Sequence, residues 1–374
     1  MIRLIVDKAI PYVENILPHY FEVLFLSAKE ITHARIVQYG AEGLIIRTVT
    51  RCDESLLSGT NIRFISTATA GTDHIDKAYC HRQGIVLSNA AGCNAPAVAQ
   101  WLFAALAKRA IRLERPMQEE TLGIVGVGHV GTAVAKEAAL LGMKTLLCDP
   151  PLALRVFDKP FQSLKDLTED CSILTFHVPL IKDGDYPTYH LMGDALLRWV
   201  GPNTALVNAS RGAVADTSAL LTACEQKQVG DLLIDCWEGE PLISRALLDK
   251  VVVATPHIAG YSAESKARSS KSVVTATAHF FGIEIAQDEL DQITPPPLEN
   301  NIIDASDFGD LTIEKTLLHT VSLDAIEQSF RANPEQFESL RTSYSFHREP
   351  TCWQVKHVAP RFAATLVSLG FEVL

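Results

Sequence analysis

The sequence predicts an α/β protein: two doubly wound domains, each on a parallel sheet, followed by a small α/β segment. Three observations predict it. Short runs rich in Val, Ile and Leu alternate with helical segments through residues 1–99. The same alternation restarts at residue 121 and continues to 258. Between the two series lies one long stretch, residues 95–112, that is apolar on most faces and predicts a buried helix.

Each element follows in order. In the first series, Ile2–Val6, Val23–Leu26, Leu44–Ile46, Phe64–Ile65 and Ile85–Leu87 predict strands between turn-prone stretches, joined by crossover helices. In the second, TLGIVGVG, TLLCD, SILTFHVPL, ALVNAS, DLLIDC and VVVATPH predict strands covered on both faces. Residues 262–284 open with Ser, Ala and Glu and predict a helix. The TPPPLEN stretch predicts a rigid connector. Beyond it, DLTIE and CWQVKHV read as strands, EKTLLHTVSLDAIEQSFRA and RFAATLVSLG as helices. At 75 residues, 300–374 is marginal as an isolated domain and is expected to pack on a partner.

The chain has 374 residues, a formal net charge of −11, 47% hydrophobic and 21% charged residues. That balance belongs to a globular protein, and its acidity argues against a nucleic-acid or anionic-membrane partner. A few local arginines can still hold a small anion. The eight cysteines are scattered, with no pair or His/Cys grouping at metal-ligand spacing, so no metal site is expected. The N-terminal apolar run is broken by Asp7, Lys8 and Pro11, and no run approaches the roughly 18 apolar residues of a membrane span. A cytoplasmic protein with reduced thiols is expected.

Gly126, Gly128 and Gly131 form a G-x-G-x-x-G turn that follows a predicted strand and opens a predicted helix, the context this pattern needs to mean dinucleotide binding. Gly126 permits the turn, Gly128 admits a pyrophosphate against the backbone, and Gly131 allows close helix–strand packing. The helix start at His129 and Val130 offers unbonded N–H groups to phosphates. Asp149 ends the next strand, placed to bind ribose hydroxyls and to repel a 2′-phosphate, which favours NAD over NADP.

Three further segments each end a predicted strand, the edge where open α/β sheets place ligands: Asn208–Gly212, Asp235–Leu242 and Thr255–Gly260. Hydride transfer at a hydroxyl carbon needs a group that exchanges the hydroxyl proton, a group that tunes it, and a cation for the carboxylate. His257 suits the first role, because imidazole titrates near neutrality. Glu240 suits the second, because a carboxylate stabilises an imidazolium. Arg211 suits the third, through its two-pronged fork.

The three segments, with the glycine turn and Asp149, resemble the D-isomer-specific 2-hydroxy-acid dehydrogenases over roughly residues 40–285. Ile46–Thr50, Thr67–His74 and Ala91–Ala95 add to the likeness, as do Phe337–Arg341 and Tyr344–Glu349 in the tail. The resemblance implies a substrate domain from 1–99 and 260–285, an NAD domain from 100–259 with a cleft between the two, and a C-terminal dimerisation domain from 286–374 serving a homodimer. It implies catalysis by Arg211, Glu240 and His257. It places NAD at His129, Val130, Asp149, Ala209, Ser210, Arg211, Asp235 and Gly260, and a phosphorylated 2-hydroxy acid at Thr48, Thr69 and Tyr261. Arg47, beside Thr48, is a further candidate for the phosphate. Gln100 stands where many relatives carry Glu. Two other readings stand beside this one. One is another branch of the family, acting on phosphoglycerate or on glyoxylate and hydroxypyruvate. The other is an NAD-sensing, corepressor-like binding protein on the same fold.

Overall fold

The computed structural model describes residues 1–156 and 160–374 and divides the chain into two compact units: residues 1–94 with 263–297, and residues 95–262 with 298–374. In the first unit a five-stranded parallel sheet runs in the order β2-β1-β3-β4-β5. Its strands are β1 (Arg3–Asp7), β2 (Glu22–Leu26), β3 (Gly43–Ile46), β4 (Phe64–Thr67) and β5 (Val86–Asn89). β1, β3 and β4 are nearly continuous apolar runs because both faces are covered. One face packs Ile5, Leu44, Ile46 and Ile65 with Ile36, Leu57 and Tyr79. The other packs Leu4, Val6 and Ile45 with Val273 and Val274 from the helix Ala263–Phe280.

In the second unit six parallel strands run in the order β11-β10-β9-β8-β6-β7. They are β6 (Thr121–Val125), β7 (Lys144–Cys148), β8 (Ile173–Phe176), β9 (Ala205–Asn208), β10 (Leu232–Ile234) and β11 (Val253–Ala254). The order reverses between β6 and β8, so the first crossover and the next leave the sheet in opposite directions, which defines a topological switch point at their C-terminal ends. The helix Ala95–Leu113 is buried along almost its whole length, as its composition predicts.

The tail departs from expectation. Residues 286–297 group with the first unit and 298–374 with the second. The tail builds its own three-stranded sheet, β12 (Ile302–Asp304), β13 (Gln354–Lys356) and β14 (Glu372–Val373), but shares its core with the six-stranded sheet. Ile313, Leu317, Val355 and Leu366 join the core around the helix Ala95–Leu113. Phe330 and Phe337 join the core on the other face, where Phe330 meets Trp237 edge-on at 5.7 Å. Burying such side chains contributes roughly 2 kcal/mol each, which a 75-residue segment alone could not gather. Glu327 accepts the backbone N–H of Ala254 at 2.9 Å and so covers the β11 sheet edge.

The DLTIE stretch is also corrected. Gly309–Leu311 is a turn of 3-10 helix and Thr312–His319 an α-helix. The apparent alternation is the first turn of an amphipathic helix whose Glu314 is buried to accept the N–H of Met117 at 2.9 Å.

Candidate active site

The three strand-end segments of the second unit are laced together. Asn208, at the end of β9, donates from Nδ2 to the carbonyls of Arg211 (3.0 Å) and Cys236 (3.1 Å), fastening one loop to the next. Its Oδ1 accepts the N–H and hydroxyl of Ser210 at 3.2 and 2.9 Å. Arg211 donates from Nη1 to the Ser210 carbonyl at 2.9 Å. Asp235, at the end of β10, is 1% exposed. Its carboxylate accepts from Thr255 Oγ1 (2.6 Å), Ile258 N (2.7 Å) and Ala259 N (3.0 Å). Burial pushes its carboxyl up, against the pull of His257 and these donors. Placed among NAD contacts by the sequence, Asp235 stands here as the anchor of the loop that carries His257.

His257 Nδ1 lies 2.6 Å from Glu240 Oε1. The other Glu240 oxygen accepts the N–H of Trp237 at 3.1 Å, so the carboxylate is held at both ends. Burial raises the Glu240 carboxyl, but the hydrogen bond and charge of His257, the Trp237 N–H and the charge of Arg341 together hold it below the usual carboxylate range. With Nδ1 donating to Glu240, the tautomer leaves Nε2 as the group able to take a proton. The His257 backbone sits at φ +56°, a left-handed conformation unusual outside glycine. The Asp235 carbonyl and carboxylate hold it there through the N–H groups of His257, Ile258 and Ala259.

The glycine turn joins β6 to the helix His129–Leu140. Gly126 takes φ +88°, and a Cβ at Gly131 would lie 2.0 Å from the Gly126 carbonyl oxygen. Both glycines are required by the turn itself. Gly128 is not: a Cβ there would meet no protein atom within 4 Å. Gly128 is also the N-cap of the helix and supplies no side-chain cap, so the N–H groups near His129 and Val130 keep their capacity for an anion. Asp149, ending β7, accepts the N–H of Val127 at 2.8 Å and so sets its carboxylate beside the turn. These features fit a dinucleotide.

In the first unit, Thr48 is exposed after β3, and Thr69 lies in the loop after β4. Thr69 Oγ1 donates to the Gly71 carbonyl at 3.0 Å and lies 2.8 Å from Thr67 Oγ1. Arg47, expected at a phosphate, instead grips Asp7, from Nε to Oδ2 at 2.9 Å and from Nη2 to Oδ1 at 3.4 Å. The Asp7 side chain is wholly buried and needs that partner, so Arg47 is accounted for within the fold.

The tail brings residues that the sequence did not mark as part of the site. His347 makes a parallel bridge with Ser262, whose hydroxyl donates to Glu349 Oε1 at 2.6 Å. Phe346 meets the Tyr261 ring edge-on at 6.2 Å. Arg341 lies over the same ring, 5.6 Å from its centroid. Only the pairing of an arginine with apolar neighbours in Phe337–Arg341 could have signalled it.

A family model described as D-isomer specific 2-hydroxyacid dehydrogenase, NAD binding domain, matches residues 96–259. An erythronate-4-phosphate dehydrogenase of Porphyromonas gingivalis is 41% identical over 375 residues, covering 99% of each chain. One of Escherichia coli O1:K1 is 40% identical over 384 residues, covering 100% of this chain and 98% of that one. The chain belongs to the erythronate-4-phosphate dehydrogenase family. It is an NAD-dependent dehydrogenase of a hydroxy acid. A solved Thermus thermophilus protein is similar with a TM-score of 0.63 at 26% identity, over 76% of this chain and 98% of that one. An Aquifex aeolicus D-lactate dehydrogenase, solved with NAD and lactic acid, shares the fold at 24% identity, TM-score 0.61, over 79% of this chain and all of that one.

Proposed function

We propose that the protein oxidises the C2 hydroxyl of 4-phospho-D-erythronate to the 2-oxo acid, a step toward pyridoxal phosphate. The observation that carries the reading is the 2.6 Å pairing of His257 with Glu240, in a chain matched along its whole length by relatives bearing that name. NAD would be held at the glycine turn, Asp149 and the Ala209–Arg211 and Gly260 backbone, and would supply the hydride acceptor. His257 Nε2 takes the hydroxyl proton as the C2 carbonyl forms. Glu240 fixes the imidazole tautomer and steadies the imidazolium. Arg211 holds the carboxylate and polarises the oxygen. Tyr261 is assigned to the substrate, and so are Thr48 and Thr69 of the first unit.

We further propose a homodimer, because the tail leaves Ile302, Phe346, Val367 and Leu374 exposed. No helix among the described residues is long and apolar enough to cross a membrane. We also propose a cytoplasmic location, in keeping with cysteines that form no disulfide among the described residues.

The test is a panel of 2-hydroxy acids, with and without phosphate, scored by nicotinamide absorbance. Turnover of 4-phosphoerythronate, abolished in His257→Ala with NADH still bound, is expected. Turnover only of 3-phosphoglycerate or glyoxylate would assign the chain to another activity.

A further inference from the structure

The tail brings one guanidinium, that of Arg341, onto Tyr261 and within the field of Glu240. The helix Phe337–Thr342 presents Arg341 over the Tyr261 ring and within hydrogen-bonding reach of its hydroxyl. Stacked on an aromatic face, the side chain is held in one orientation. It is 19% exposed, its one ion pair among the described residues is a marginal 3.9 Å contact with Glu338, and its Nε is buried without a hydrogen-bond partner. A guanidinium carries five N–H donors, and desolvating them unmatched is costly. Packing alone would be served better by leucine or methionine. Burial works against the charge, but Tyr261, Glu338 and Glu240 more than restore it, so the group stays cationic.

We propose that Arg341, with Tyr261, binds the phosphate of the substrate and sets the preference for a phosphorylated acid. This rests on the phosphorylated 2-hydroxy acid proposed above. Such a substrate carries two anionic groups. The carboxylate is attached to the reacting carbon and falls to Arg211, at the end of β9. The phosphate lies at the far end of a four-carbon acid and needs a second cation. Arg341 stands apart from the β9 loop in its attachments, tied to Tyr261 four residues beyond His257.

The test compares the full-length protein with Arg341→Gln and Arg341→Lys, after melting temperature and NADH binding establish that each variant folds. For Arg341→Gln the KM for 4-phosphoerythronate should rise about 10- to 100-fold, the range of a lost charge-assisted hydrogen bond, with kcat changed far less. Unphosphorylated erythronate should lose only a few-fold in kcat/KM. Competitive inhibition by inorganic phosphate should weaken in step, and Arg341→Lys should restore part of each effect. Equal losses on both acids, with a displaced acid limb in the pH profile, would mean that Arg341 acts through Glu240 and would overturn the proposal. If the parent protein turns over only unphosphorylated acids, the substrate assignment fails instead. The phosphate-inhibition arm then still decides on Arg341: inhibition lost in Arg341→Gln supports an anion site, and inhibition unchanged overturns it. Should Arg341→Gln not fold, Arg341→Lys carries the same comparison.

Discussion

The Asp235 carboxylate receives the backbone N–H groups of Ile258 and Ala259 at 2.7 and 3.0 Å, and through them fixes the left-handed turn on which His257 stands. Removing it leaves two buried donors and the Thr255 hydroxyl unmatched. Asp235→Ala should therefore cost about 3 kcal/mol, read from the urea midpoint, and should lower kcat beyond what the stability loss explains. Asp235→Asn, which keeps one acceptor oxygen, should lose less on both counts. An unchanged midpoint in Asp235→Ala would show that the carboxylate does not anchor the loop.

Glu240 gives a pH dependence with a defined sign. Its carboxyl titrates lower in the folded chain than in the unfolded chain. The folded state therefore binds fewer protons across the window from the unfolded value, about 4.3, down to the depressed one. The stability it contributes is complete above that window and fades as pH falls through it. Glu240→Gln should flatten that part of a melting-temperature profile between pH 6 and 3. At neutral pH it should lower kcat by about 100-fold or more through loss of the tautomer control.

Gly128 and Gly131 separate cofactor binding from folding. Gly128→Ala adds a methyl group where no protein atom lies within 4 Å, so its melting temperature should stay near the parent value. Its NAD affinity should fall about tenfold or more as the pyrophosphate loses its approach. Gly131→Ala would drive Cβ to 2.0 Å from the Gly126 carbonyl oxygen and should destabilise the protein itself. NADH fluorescence titration beside thermal melts reads both.

Arg47 makes the opposite case. Arg47→Ala takes the counter-charge from the wholly buried Asp7 carboxylate, leaving it the Ala9 N–H, and should cost about 3–5 kcal/mol of stability, measured by denaturant titration. If stability holds while KM for the phosphorylated acid rises, Arg47 belongs to the substrate after all.

Much of this was legible in the sequence, for physical reasons. All eleven strands of the two larger sheets fall within the apolar runs read as strands or within two residues of them, although the runs ending β6, β8 and β11 continue three or four residues past the strand into the site loops. The glycine turn could be read because Gly126 and Gly131 answer to backbone geometry alone. His257 and Glu240, 17 residues apart, could be singled out by chemistry and by their place at strand ends. What escaped depends on contacts across long separations. Asp7 and Arg47 are 40 residues apart, and nothing local marks either as the partner of the other. Strands β12 and β14 are as short as β10 and β11 but lack their fully buried apolar run, so nothing marks them. No pattern within the tail reveals that Phe330 and Phe337 fill the core beside Trp237 of the same chain, so the sequence points to a partner instead.

The second unit is interrupted in the sequence: residues 95–262 carry His257 and Glu240, and residues 298–374 close their core and supply Arg341. β14, at Glu372–Val373, pairs with β13 and completes the tail's three-stranded sheet. During synthesis the core around the helix Ala95–Leu113 must wait for Ile313, Leu317, Val355 and Leu366. The nascent polypeptide can therefore fold its early strands, but the catalytic unit is finished only once that later segment has emerged.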